Sequence, residues 1–344
     1  MKKKSISTKS TKHDRSNSLM GPVSMLFFAF MIVALIALRL YNHFAPEEKK
    51  QIATNQPATL EEFLNSVIPQ NVNLDQLSQA SLRTEAMMNK EIEFITRDSQ
   101  TIHAKISKPE GVGPFATMIL MHGGQSSQRS TDRMAEVLGE PLMQSTGMMT
   151  VTVDWRESTF GQEDLTDLLS TIDWVRGLQE TASQPIILFG IEHGAYISLL
   201  ATQEDVSIDG VIDAYGYINP AEEYRYLLTT DATSADNFLQ QSGCHTAANQ
   251  DACLHELSLQ DVLHIDIPVL ILHSEADTFV PIAQSEMLAA MMDAELLTFD
   301  RITDPVVGNG FLTTPSLAGF DAALEQINAW VAERQASIEF NVNQ

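Results

Sequence analysis

From residue 90 onward, short apolar runs alternate with longer segments of helical period, and this alternation constrains the fold most. ATMILMHGG (116–124), MTVTVDW (149–155), PIILFG (185–190), DGVIDAYG (209–216), PVLILHSEAD (268–277) and AELLTF (294–299) read as buried strands. Helices are expected over 131–144, over 163–178, from about His193, and at the C-terminus. Leu165, Leu168, Leu169, Ile172 and Val175 share one helical face, as do Phe320, Leu324, Ile327 and Val331. Strands alternating with helices predict an α/β fold with a mostly parallel sheet covered on both faces. EIEFIT (91–96) and TIHAKI (101–106) alternate like hairpin arms joined by Asp98-Ser99-Gln100. Residues 217–264 are too many for a turn between strands. They predict a cap insert over the C-terminal sheet edge, where ligands of such folds bind.

Several segments fall where chemistry belongs. PIILFG-IEHGA is a strand, a sharp turn and a helix, the context of a G-x-S-x-G nucleophile elbow. Its frame is Gly190-Ile191-Glu192-His193-Gly194, with glutamate at the centre. His122-Gly123-Gly124 follows a strand, as a loop whose backbone N–H groups hold an oxyanion would. Asp277 ends another strand, in HSEADTFVP (273–281), and Gly308-Asn309-Gly310-Phe311 follows the next. Ser126, Ser127, Ser130 and Ser158 have neither an elbow nor an obvious base and read as polar loop residues. Tyr215, Tyr217, Tyr224 and Tyr226 cluster where the cap begins; they pack it on the sheet or line a pocket.

These segments together resemble the α/β-hydrolase superfamily over roughly residues 90–336, especially its prolyl oligopeptidase and dienelactone hydrolase branches. DWRESTFG (154–161) is similar to that branch's R-G-S-x-x-x-G segment, and Val280-Pro281 after Asp277 matches its acid motif most closely. GNGF is similar to G-H-G-F with asparagine for histidine, and Ala195 stands where the family prefers glycine. The resemblance therefore maps the nucleophile to Glu192, the acid to Asp277 and the histidine to Asn309, with His122, Gly123, Gly124 and His193 forming the oxyanion loop. A Ser–His–Asp hydrolase needs a hydroxyl to attack and an imidazole to move its proton. Neither glutamate nor asparagine supplies these, so two of three triad positions are not catalytic types. His193 should point away from the site, and His273, inside the acid strand, should be structural. Glu192 is expected to turn its carboxylate onto the helix N-terminus and the HGG loop, filling the oxyanion site. Asn309 and Asp277 would then pair by a hydrogen bond.

The remaining features concern place and partners. Residues 1–50 carry nine Lys/Arg against three Asp/Glu, whereas residues 51–344 carry twelve against forty-two. So acidic a body repels nucleic acid and anionic lipid, and no nucleic-acid partner is expected. The uncharged run GPVSMLFFAFMIVALIAL (21–38) would span about 27 Å as a helix, close to a hydrocarbon core. Its basic flank predicts a cytoplasmic tail (1–20), an uncleaved signal-anchor (21–40) and a polar stalk (41–88). The hydrolase-like domain (89–338) would then lie in the periplasm or outside the cell. In such an oxidising space Cys244 and Cys253 read as a disulfide. Their spacing with His245 and His255 matches no standard zinc pattern, so no metal is expected, and no cofactor. The favoured expectation is a membrane-anchored binding module for a small molecule, peptide or protein. The rival is an ester or peptide hydrolase with a rearranged site.

Overall fold

The computed structural model describes residues 3–6, 90–124, 128–156, 160–181, 183–204, 208–292, 294–299 and 311–342. The apolar run at 21–40, the stalk at 41–88 and Asn309 lie outside the described residues. Among the described residues, no helix is long and apolar enough to cross a membrane.

Among the described residues, nine strands form one sheet: β1 (Lys3–Ile6), β2 (Lys90–Ile95), β3 (Thr101–Ser107), β4 (Thr117–Met121), β5 (Met149–Asp154), β6 (Ile186–Ile191), β7 (Gly210–Ala214), β8 (Val269–Ser274) and β9 (Glu295–Phe299). Their order is β1-β9-β8-β7-β6-β4-β5-β3-β2. β2 pairs antiparallel with β3, and β3 with β5; every other pairing is parallel. The expected hairpin is therefore present, and it turns at Ser99 with φ 66°. β1 adds an edge strand beside β9, which the sequence did not suggest.

Alternation along the central strands divides the core in two. Ile119, Met121, Val151, Val153, Leu188 and Val211 face one side. Met118, Leu120, Ile187, Phe189, Ile212 and Leu272 face the other. On the first side pack α3 (Glu163–Gly177) and α4 (His193–Ala201), through residues such as Leu168, Ile172, Ile197 and Leu199. On the second lie α1 (Gln128–Met134), a π-helical turn (Ala135–Gly139), α2 (Glu140–Thr146) and α9 (Ala318–Val342). Phe320, Ile327 and Val331 of α9 are buried, as their spacing predicted.

The insert forms three helices, α5 (Pro220–Thr230), α6 (Ala232–Gln241) and α7 (Gln250–Glu256); α8 (Ala283–Met292) follows β8. Asn219 caps α5 by accepting from Ala221 N and Glu222 N, with Pro220 in the first turn. Cys244 and Cys253 are joined as a disulfide, with Cα atoms 5.7 Å apart. This pairing excludes both thiolates from a zinc site. Gln284 of α8 ties the insert down: its Oε1 accepts from Ile218 N and Asn219 N, and its Nε2 donates to Asn219 O at 3.0 Å.

Candidate active site

The elbow has the geometry its glycines require. β6 ends at Ile191, Glu192 adopts φ 49° and ψ −113°, and α4 begins at once at His193. A non-glycine residue holds this conformation only when its surroundings impose it. A Cβ on Gly190 would run into the backbone of Gly194 and Ala195. One on Gly194 would run into Met121 O and His122 O, 2.8 Å away in the second case. The two glycines thus let β6, α4 and the end of β4 approach one another.

Glu192, half-buried at the tip, makes no capping hydrogen bond to α4. The expected cap on the helix terminus is absent, while the expected approach of the carboxylate to the HGG loop is present. The side chain leans over the HGG loop. A Cβ on Gly123 would lie 2.7 Å from Glu192 Oε2 and equally close to its Cβ. Gly124 follows with φ 67° and is exposed.

His122 is buried, with Nδ1 3.1 Å from Gly123 O and its ring stacked on Trp155 at 5.1 Å. Burial lowers its pKa to about 4, so the ring is uncharged near neutral pH. The His193 side chain points beneath the elbow, as expected. Nε2 lies 2.8 Å from Asp164 Oδ2, and Nδ1 lies 2.7 Å from the Tyr217 hydroxyl. Phe160, Trp155 and Tyr196 surround that ring at 4.4, 5.1 and 5.9 Å.

Asp277 is buried after β8. Its Oδ1 accepts from Phe279 N at 2.7 Å and Val280 N at 2.9 Å. His273 is structural: Nδ1 meets Ser285 Oγ at 2.7 Å, and Nε2 meets Val280 O at 3.0 Å. Asp277 Oδ2 is 3.6 Å from the same Nε2, and burial lowers the His273 pKa to about 4. Phe311, two residues past Asn309, is buried between Phe299 at 5.0 Å and Tyr215 at 5.4 Å.

Arg156 forms a structural clamp. It pairs with Asp98 at 2.8 Å and with buried Asp167 at 2.6 Å, tying the β2–β3 hairpin to α3.

Sequence reasoning passed over Glu223. This α5 residue is 0% exposed, and neither carboxyl oxygen has a hydrogen-bond partner. Burial raises its pKa well above the usual carboxylate range, and the Asp277 and Glu192 charges add to the shift. A signal was available: Pro220, Glu223 and Leu227 share one helical stripe, and all three are buried.

The strand order and the strand–turn–helix at Glu192 together define the α/β-hydrolase fold. More narrowly, the chain belongs to the BD-FAE family, whose model matches residues 106–292, just over half of its length. No curated protein matches the sequence. Solved structures share the fold at low identity. An esterase from the archaeon Pyrobaculum calidifontis is 14% identical, with a TM-score of 0.56 over 75% of this chain and 91% of that one. Carboxyl esterase 2 from the fungus Tuber melanosporum is also 14% identical, with a TM-score of 0.56 over 71% and 85%. Acylaminoacyl peptidase from Pyrococcus horikoshii is 18% identical, with a TM-score of 0.55 over 75% of this chain and 43% of that one.

Proposed function

We propose that this protein is membrane-anchored and extracytoplasmic, lacks ordinary serine-hydrolase activity, and binds a small molecule, peptide or protein in the former active-site cleft. The observation that carries this reading is Glu192 at the strained tip of the elbow, φ 49°, where a serine hydrolase needs its hydroxyl. Among the described residues, the imidazoles around the elbow and the acid strand are already engaged: His122 Nδ1 lies 3.1 Å from Gly123 O, and His273 lies between Ser285 Oγ and Val280 O. His193 is committed to Asp164 and Tyr217, and burial makes His122 and His273 weaker bases than a free imidazole.

The alternative is an active ester or peptide hydrolase with a rearranged site. Family membership and the esterase and peptidase neighbours favour it. Ser285, His273 and Asp277 come nearest to a substitute triad, at 2.7 and 3.6 Å. Access counts against them, since Ser285 and His273 are both 0% exposed. Detergent-solubilised full chain should hydrolyse p-nitrophenyl acetate no faster than buffer. Turnover that disappears in Ser285→Ala would establish the alternative.

Anchoring rests on the apolar run at 21–38 and its basic flank, supported by the cap disulfide. The pairing of Lys3–Ile6 with Glu295–Phe299 opposes it. One crossing between these segments would put them on opposite sides of the membrane. A reporter fused after Gln344 decides: activity only outside the cytoplasm supports the anchor, and activity inside supports the strand pairing.

A further inference from the structure

The two ends of the cap insert meet over α4. Leu259 N donates to Ile218 O at 2.8 Å, so the chain enters and leaves the insert side by side. At the entering end the Tyr217 hydroxyl lies 2.7 Å from His193 Nδ1. At the returning end Leu257 O accepts from the Tyr196 hydroxyl at 2.9 Å. His193 and Tyr196 are the first and fourth residues of α4, the helix that starts at the elbow. One helix thus holds both ends. The rings of Tyr196 and Tyr217 stack at 5.5 Å, and Phe238 of α6 packs edge-on against Tyr217 at 5.2 Å, which carries the contact up into the insert.

His193 is bound on both ring nitrogens. Asp164 of α3 presents a carboxylate oxygen 2.8 Å from Nε2, so Nε2 carries the proton and donates. Nδ1 of the neutral ring then accepts from the Tyr217 hydroxyl. His193 directly follows Glu192, whose φ of 49° persists only where the surroundings over-determine it. The ring is therefore pinned from α3 on one side and from the insert on the other. Tyr217 and His193 are both buried, so parting them leaves two polar atoms unpaired. A hinged cap turns about a few residues that absorb the backbone change at its ends. Here the end residues are tied, and an insert that swings away must release Tyr217 from His193 and Leu257 from Tyr196. It would take with it two constraints on the first turn of α4.

We propose that the Tyr217 hydroxyl is a latch joining the order of the cap insert to the geometry of the elbow, so that the two loosen or tighten together. Coupling of this kind is reciprocal: a ligand that steadies the insert also steadies Glu192, and one that fixes Glu192 holds the insert down. The latch is independent of the proposed function, because it holds whether the cleft binds or hydrolyses.

Amide hydrogen exchange of the detergent-solubilised full chain, read by mass spectrometry, tests the latch. The amides of Glu192, Ala195 and Tyr196, bonded to Ala214 O and Glu192 O, report the elbow. Those of Glu223 and Leu259, bonded to Asn219 O and Ile218 O, report the insert. Tyr217→Phe removes one hydroxyl and keeps the ring. It should speed exchange of both sets about fivefold, the scale of one neutral hydrogen bond. Tyr196→Phe, which cuts the tie at the other end, should also speed both. Tyr226→Phe is the control, because the Tyr226 hydroxyl donates to Asp277 O at 3.1 Å rather than to α4. It should speed the insert amides and leave the elbow amides as they are. Exchange in β4 and β5 should match wild type in all three variants. Faster exchange of the insert alone in Tyr217→Phe, or no change in either set, would overturn the proposal. So would an elbow response to Tyr226→Phe as large as that to Tyr217→Phe. A uniform rise that includes β4 and β5 would also overturn it, since it would report general loss of stability rather than a latch.

Discussion

Two polar clusters flank the elbow, and they are built differently. Beneath it, Asp164, His193 and Tyr217 are joined at 2.8 and 2.7 Å inside an aromatic shell. Above it, Glu223 and Tyr215 are equally buried and have no hydrogen-bond partner. Folding alone explains the lower cluster, because its groups satisfy one another. It does not explain the upper one, whose polar atoms are buried without a hydrogen-bond partner. Satisfied buried groups hold the elbow in place, whereas unsatisfied ones carry a desolvation cost that the fold must offset elsewhere.

The largest expected effect comes from breaking the lower cluster. Asp164→Ala leaves the His193 ring without its carboxylate and should cost about 3–5 kcal/mol in denaturant unfolding. A loss below about 1 kcal/mol would mean that this cluster is not what secures the elbow. Next is the cap that buries Glu223. Replacing Cys244 and Cys253 together by serine should cost about 2–3 kcal/mol, the scale for so short a loop. An unchanged melting temperature would show that the cap does not depend on its disulfide.

A smaller effect sharpens the same rule within one residue. Asp213 is buried on β7, with Oδ1 accepting from Gly216 N at 2.9 Å while Oδ2 has no partner. Burial raises its pKa from 3.8 to about 7. The folded state thus holds this proton more tightly than the unfolded chain does. Its contribution to stability falls as pH rises from about 4 to about 7, and is flat beyond. Asp213→Asn should remove that component, so the difference between variant and wild-type melting temperatures should grow in the variant's favour across this window. A constant difference would show that Asp213 stays ionised in the fold.

Most of the fold was legible because buried strands leave continuous apolar runs. ILFG before Glu192 and LILH before Asp277 needed no knowledge of their neighbours. The elbow was legible from Gly190 and Gly194, whose missing side chains are a backbone requirement. The site was less so. Glu223 stands out because it is buried with neither carboxyl oxygen bonded, and local pattern records only that it lies on a buried stripe. Asp164 meets His193 across 29 positions, a pairing that no spacing rule suggests. For Glu192 the approach to the HGG loop was legible, whereas the cap on the helix terminus is absent, because an anion's preference for a helix end does not determine which way an elbow side chain leans. Asn309 lies outside the described residues, so its predicted pairing with Asp277 stands as an expectation.

The central claim is that a hydrolase fold here retains its elbow without its nucleophile. Incubating the solubilised full chain with a fluorophosphonate and weighing the intact protein tests this most directly. The account predicts an unmodified mass under conditions that label an active serine hydrolase to completion. One stoichiometric adduct on a single serine, lost when that serine is replaced by alanine, would contradict it.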